Sequence, residues 1–227
     1  MLDFAFKYLS DDLDFFHLPV LPSNEGKPEE NKKRIQISTV VSSLRFNALD
    51  ELALNLGLYE KAYLEHAMCR ESIRQGQHSN LAYCTRLLKL TTLFANSFLI
   101  SVDKYFKILN SLKEEFPELN DIVHDIYLAL DTQIPNIKHL RNSALHVEQR
   151  LYRQKKISRK KEEINLHPDN TEGFMIAMQY GNTLKYTTQT SENVGIEISK
   201  KTMDIIVQSY LDLKKSLKEK YIDQLPE

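Results

Sequence analysis

The sequence predicts a mainly α protein: a helical bundle with a small β-hairpin insertion before its last helix. Three observations predict it. Apolar residues recur three or four apart over most of the chain; glycine and proline number only 6 and 7; and a strand-prone stretch around a Gly-Asn turn precedes the last periodic segment. Recurrence at three and four lines one face of a helix. An all-β or nucleotide-binding α/β fold needs far more turn chemistry than this chain carries.

The elements follow in order. A first helix is expected over about residues 2–16, ending before Pro19 and Pro22, with LPSNEGKPEENKK as a polar linker. From about Lys33 to Asn55 the positions Ile37, Val40, Val41, Leu44, Ala48, Leu52 and Leu56 fall near helical spacing. Gly57 reads as a stop, and a further helix runs from Tyr59 to Gln75, where Gly76 and QHSN interrupt it. The longest periodic segment, Asn80 to Glu115, passes through Leu87, Leu90, Phe94, Phe98, Val102, Phe106 and Leu109, and Phe116-Pro117 closes it. A short helix spans Leu119 to Leu130, and DTQIP breaks it. The next helix runs from Pro135, a residue suited to a first turn, to Gln154. After a polar stretch, FMIAMQYGNTLKYTT predicts a hairpin and VGIEIS a third short strand. A last helix, Lys200 to Tyr221, turns Ile205, Ile206, Leu213 and Leu217 inward. The whole, 1–227, reads as a single helical domain, with 1–78 an N-terminal helical extension and 165–199 a small β insertion.

Composition removes several function classes. With 227 residues, 42% hydrophobic and 27% charged, the chain can bury a core without disulfide or metal staples. A net charge of -1 makes it no polycation, so any attraction to phosphate must come from local clustering. Neither a G-x-x-x-x-G-K-[ST] nor a G-x-G-x-x-G run is present, so neither phosphate-cradling loop is available. Cys69 and Cys84 lack the spacing of a zinc site and are expected to be reduced, structural thiols. Aspartates at 3, 11, 12 and 14 make the N-terminus unlike a signal peptide, and no apolar run approaches the roughly 18 residues that span a bilayer. A cytoplasmic protein with no membrane partner, no metal and no cofactor is expected.

The informative segment is IPNIKHLRNSALHVEQRLYRQKK. On a 3.6-residue helix, Ile137, Leu140, Ala144, Val147 and Leu151 share one face. Asn142 and His146, four apart, are neighbours on the opposite side with Arg150 and Arg153, which suits a cleft or a subunit contact. Arg141 projects into the apolar arc, about 140 degrees from His146, where it could tether Glu148 or bend round to the polar side. Downstream, Arg150, Arg153, Lys155, Lys156, Arg159, Lys160 and Lys161 form a run without an acidic residue. Such a run either binds a nucleic-acid backbone or is a solvated helix end.

The run Arg141-Asn142-Ser143-Ala144-Leu145-His146 resembles the R-N-x-x-x-H pattern of HEPN domains (higher eukaryotes and prokaryotes nucleotide-binding). The setting is similar as well: a helical bundle, with the motif early in a late helix and one more helix after it. The resemblance covers residues 80–154 and the final helix. It implies a metal-independent endoribonuclease of phage defence or a toxin–antitoxin system, working as a homodimer with two motifs in one cleft. Arg141, Asn142 and His146 would be catalytic, Arg150, Arg153, Lys155 and Lys156 RNA-binding, and an antitoxin or other defence-system protein a partner. The alternative is a catalytically inactive HEPN-like binding or scaffold module. One subgroup carries a tyrosine two residues after the histidine; here Glu148 stands there, which departs from that subgroup's partnership with a nucleotidyltransferase.

Other candidates are weaker. His124-Asp125 resembles the pair of HD phosphohydrolases but lacks the further ligands that family needs. Asp103 could pair with Arg141 or be an exposed acid. His139 lies two turns from His146, roughly 10 Å along the axis, too far to share a metal.

Overall fold

A computed structural model describes residues 16–21, 28–76, 81–134, 178–180, 183–187 and 193–222. The chain divides into two compact units, Met1–Gln133 with Ser199–Glu227, and Ile134–Ile198. The described residues are mostly helical, with a small antiparallel sheet before the last helix, as the sequence predicts.

The first described stretch of the first unit, residues 16–21, has no regular secondary structure and buries Phe16 and Leu18. Phe16 is therefore not helical, and the rest of the helix expected over 2–16 lies outside the described residues. Side chains of the following helix hold the stretch in place. Ser38 Oγ accepts from Leu18 N at 2.9 Å, while Asn31 accepts from Leu21 N and donates to Leu21 O.

Helix α1, Pro28–Ser43, begins inside the segment expected to be linker. Proline at the first turn and acidic Glu29 and Glu30 beside the positive helix end explain the early start. A π-helical turn, Leu44–Leu49, follows, and α2, Asp50–Arg74, continues from it without a break. The backbone N–H of Asp50 donates to Arg45 O, five residues back. The extra residue re-phases the stripe, so that Ile37, Val41 and Leu44 on one side of the turn and Leu49, Leu52 and Leu56 on the other are all buried.

Gly57 does not stop the helix. A glycine costs about 1 kcal/mol in a helix interior, and burial of its neighbours Leu56, Tyr59 and Ala62 outweighs that. The stop comes at Gly76, whose φ of 91° is the left-handed conformation of a glycine C-terminus; its N–H donates to Ile73 O.

Helix α3, Leu81–Glu115, runs back along α2. Its buried face is Leu87, Thr91, Ala95, Phe98, Val102, Tyr105 and Leu109. Leu90, expected in the core, is 41% exposed. Small Thr91 and Ala95 are buried instead. Phe116 is extended ahead of Pro117, a 3-10 turn covers Pro117–Leu119, and α4 runs over Asn120–Gln133, three residues past the expected end. Helix α5, Lys200–Tyr221, starts at Ser199, whose side chain accepts from Thr202 N, and buries Ile206, Tyr210, Leu213 and Leu217.

One network ties the end of α5 to the start of α1. Arg34, 3% exposed, donates to Tyr221 O at 3.0 Å and to Glu30 at 3.2 Å, with its guanidinium over the Tyr221 ring. Glu118 pairs with Lys33 and accepts from Tyr221 OH. Partial burial pushes the Glu118 carboxyl up, but the Lys33 ammonium and the hydrogen bonds outweigh this and hold it below its usual range. A depressed carboxylate stabilises above its unfolded pKa of about 4.3 and loses that contribution as pH falls through the folded value. The stability gap between wild type and Glu118→Gln should therefore narrow on acidification below about pH 4. Urea midpoints at neutral and acid pH measure this, and a constant gap would contradict it.

In the second unit, three strands form an antiparallel meander: β1, Met178–Tyr180; β2, Thr183–Thr187; and β3, Asn193–Glu197. Tyr180 pairs with Thr183, and Thr183 with Glu197. This is the expected hairpin with the expected third strand. The Gly181-Asn182 turn itself lies outside the described residues. Exposed Gly195 and Glu197 alternate with buried Ile196 and Ile198, the period of two that a half-buried strand requires.

Candidate functional site

The π-helical turn, α3 and α5 bring together one polar cluster of the first unit, Arg45, Tyr105, Ser209 and Tyr210. Arg45 pairs with Asp50 across the π-helical turn. The spacing is five residues, which places them over each other only because the helix is locally widened. Burial lowers the Arg45 guanidinium below its ordinary value, and the nearby Tyr210 opposes this. Burial pushes Tyr210 up to about 12, against the opposite pull of Arg45. The Tyr105 hydroxyl shares a 2.8 Å hydrogen bond with Ser209 Oγ, and burial raises its pKa strongly. Both phenols are thus neutral at physiological pH.

The two tyrosines differ in what their hydroxyls do. Tyr210 OH has no hydrogen-bond partner among the described residues, whereas Tyr105 OH is satisfied. Tyr105→Phe should cost about 1 kcal/mol, and Tyr210→Phe should be neutral or stabilising, because it removes an unsatisfied buried group. Thermal unfolding of the pair checks this; equal destabilisation would refute the assignment.

Asp103 is 3% exposed, so it is not the surface acid that was one expectation for it. It forms an ion pair at 2.7 Å with Lys107, one turn along its own helix. His124 and Asp125 are both exposed, and among the described residues no three His, Cys, Asp or Glu side chains are grouped to hold a metal ion.

The residues to which the sequence assigns chemistry, Arg141, Asn142 and His146, lie outside the described residues, as do Arg150, Arg153, Lys155 and Lys156. They fall in the span of the second compact unit, as the three strands do. No family model, curated protein or solved structure matches this chain. Function therefore rests on the residues themselves.

Two features of the described residues escaped sequence reasoning. The Arg45–Asp50 pair is invisible to a search at the helical spacings of three and four. The buried contact between Cys69 and Cys84, fifteen residues apart, depends on α2 and α3 folding back on each other. Among the described residues, no helix is long and apolar enough to cross a membrane.

Proposed function

We propose that this chain is a metal-independent endoribonuclease of HEPN type, cytoplasmic, acting in phage defence or a toxin–antitoxin system. The observation that carries the reading is the hexapeptide Arg141-Asn142-Ser143-Ala144-Leu145-His146. The mainly helical fold is the class that this resemblance implies.

The chemistry needs little from the protein because RNA carries its own nucleophile. A base removes the 2′-hydroxyl proton, the oxygen attacks the adjacent phosphorus, and the 5′-oxygen leaves with a proton from an acid. The products are a 2′,3′-cyclic phosphate and a 5′-hydroxyl. A histidine side chain, whose unperturbed pKa is about 6.5, can fill either proton-transfer role near neutral pH, and His146 is the one the motif supplies. Arg141 supplies charge and paired donors to the phosphorane-like transition state. Asn142 positions His146 or a phosphate oxygen. A homodimer would bring two histidines to one cleft and divide acid from base. Arg150, Arg153, Lys155 and Lys156 would hold the backbone without reading bases.

The test is cleavage of a mixed RNA pool in chelator, comparing wild type with His146→Ala and mapping the product ends. Cyclic-phosphate products that require His146 support the proposal. Silence in chelator, with RNA still bound, favours the scaffold alternative, for which Glu148 beside the motif supplies the motive: a carboxylate that repels a polyanion.

A further inference from the structure

Cys69 and Cys84 lie in one small buried cluster with Leu87, and Ile73 packs against it. Neither is in a disulfide, and they are 6% and 7% exposed. Both side chains belong to this one cluster at the α2–α3 seam, and after burial the neighbouring Cys84 thiol is the group that raises the Cys69 pKa. Between them, α2 ends at Gly76, which has a positive φ.

We propose that Cys69 and Cys84 constitute a dithiol site that closes to an intrachain disulfide on reaction with a small-molecule disulfide of the glutathione class, stapling α2 to α3. The position of the pair in the fold favours closure. The thiols come from two consecutive helices at their shared end, with Cys84 in the first turn of α3 and Cys69 near the last turns of α2. Helix ends open locally at little cost, which gives an oxidant access that a mid-helix pair would lack.

The reaction balances in two exchanges. One cysteine thiolate attacks a sulfur of oxidised glutathione, breaking its S–S bond and releasing one glutathione thiolate. The second cysteine attacks the protein-side sulfur of this mixed disulfide and releases the other glutathione. The protein loses two electrons and two protons; glutathione disulfide gains both as two thiols. Burial, and then the neighbouring Cys84 thiol, push the Cys69 thiol up. Thiolate is therefore scarce at neutral pH, and closure should accelerate as pH rises.

The experiment treats the full chain with excess oxidised glutathione over a pH series and reads intact mass and a non-reducing peptide map. The expected result is loss of two hydrogen atoms, a cross-linked pair of peptides carrying Cys69 and Cys84, and reversal by dithiothreitol. Oxidation should also raise Tm by roughly 5–10 °C, since the bond closes a short loop in the unfolded chain. The variants Cys69→Ala and Cys84→Ala should each accumulate a stable glutathione adduct instead. The mass of the wild-type chain decides the matter even if a variant fails to fold. A lasting adduct on the wild type, a cross-link between two chains, or unreacted thiols would each overturn the proposal.

Discussion

Replacing Phe98 by alanine should lower the unfolding free energy by about 3–5 kcal/mol. Its ring is fully buried on α3, in the same buried row as Ala95 and Val102. Truncation removes the transfer energy of the ring and leaves a cavity that the seam between long, continuous helices closes poorly. Leu90→Ala is the matched control. Leu90 stands eight residues earlier on the same helix and was an equal core candidate by spacing, yet it is 41% exposed. Its loss should stay within about 1 kcal/mol. Urea unfolding followed by helical circular dichroism reads both variants, and the chain has no tryptophan to serve as an alternative probe. Similar midpoints for the two would mean that the buried register of α3 is not the one described.

The second large effect belongs to the proposed chemistry. His146→Ala should reduce RNA cleavage in chelator by about 100- to 10,000-fold, the usual contribution of a positioned acid–base group. Arg141→Ala should lose about 100- to 1,000-fold, the scale of removing one preorganised donor to a transition state. Because paired imidazoles would act as acid and base, the rate should peak near neutral pH and fall on both sides. Folding is monitored in parallel by circular dichroism, so that a lost rate is not mistaken for a lost structure. Cleavage that persists within a few-fold of wild type would take His146 out of the mechanism and the proposed function with it.

The sequence determined the helical class, because a stripe repeating at three and four can be buried only by a helix. It also located the starts and stops where one residue's backbone preference decides the matter. Gly76 ends α2, Phe116-Pro117 ends α3, and the alternation of Gly195, Ile196, Glu197 and Ile198 marks a half-buried strand. The site residues, too, were legible as residue types: Arg141, Asn142 and His146 came from the sequence, and every role given to them still rests on it.

Tertiary structure decided what no local pattern carries. Gly57 continues a helix because its neighbours are buried, a fact about packing that no propensity contains. The π-helical turn brought Arg45 over Asp50 at a spacing of five, outside the three and four that make neighbours on an α-helix. Tertiary packing buried Thr91 and Ala95 and left Leu90 exposed, although spacing alone made Leu90 a core candidate. It also set Cys69 against Cys84. Local propensities are worth tenths of a kcal/mol to about one per residue, whereas burying a large side chain is worth about 1.5–3 kcal/mol. Where the two conflict, contacts between residues distant in sequence prevail.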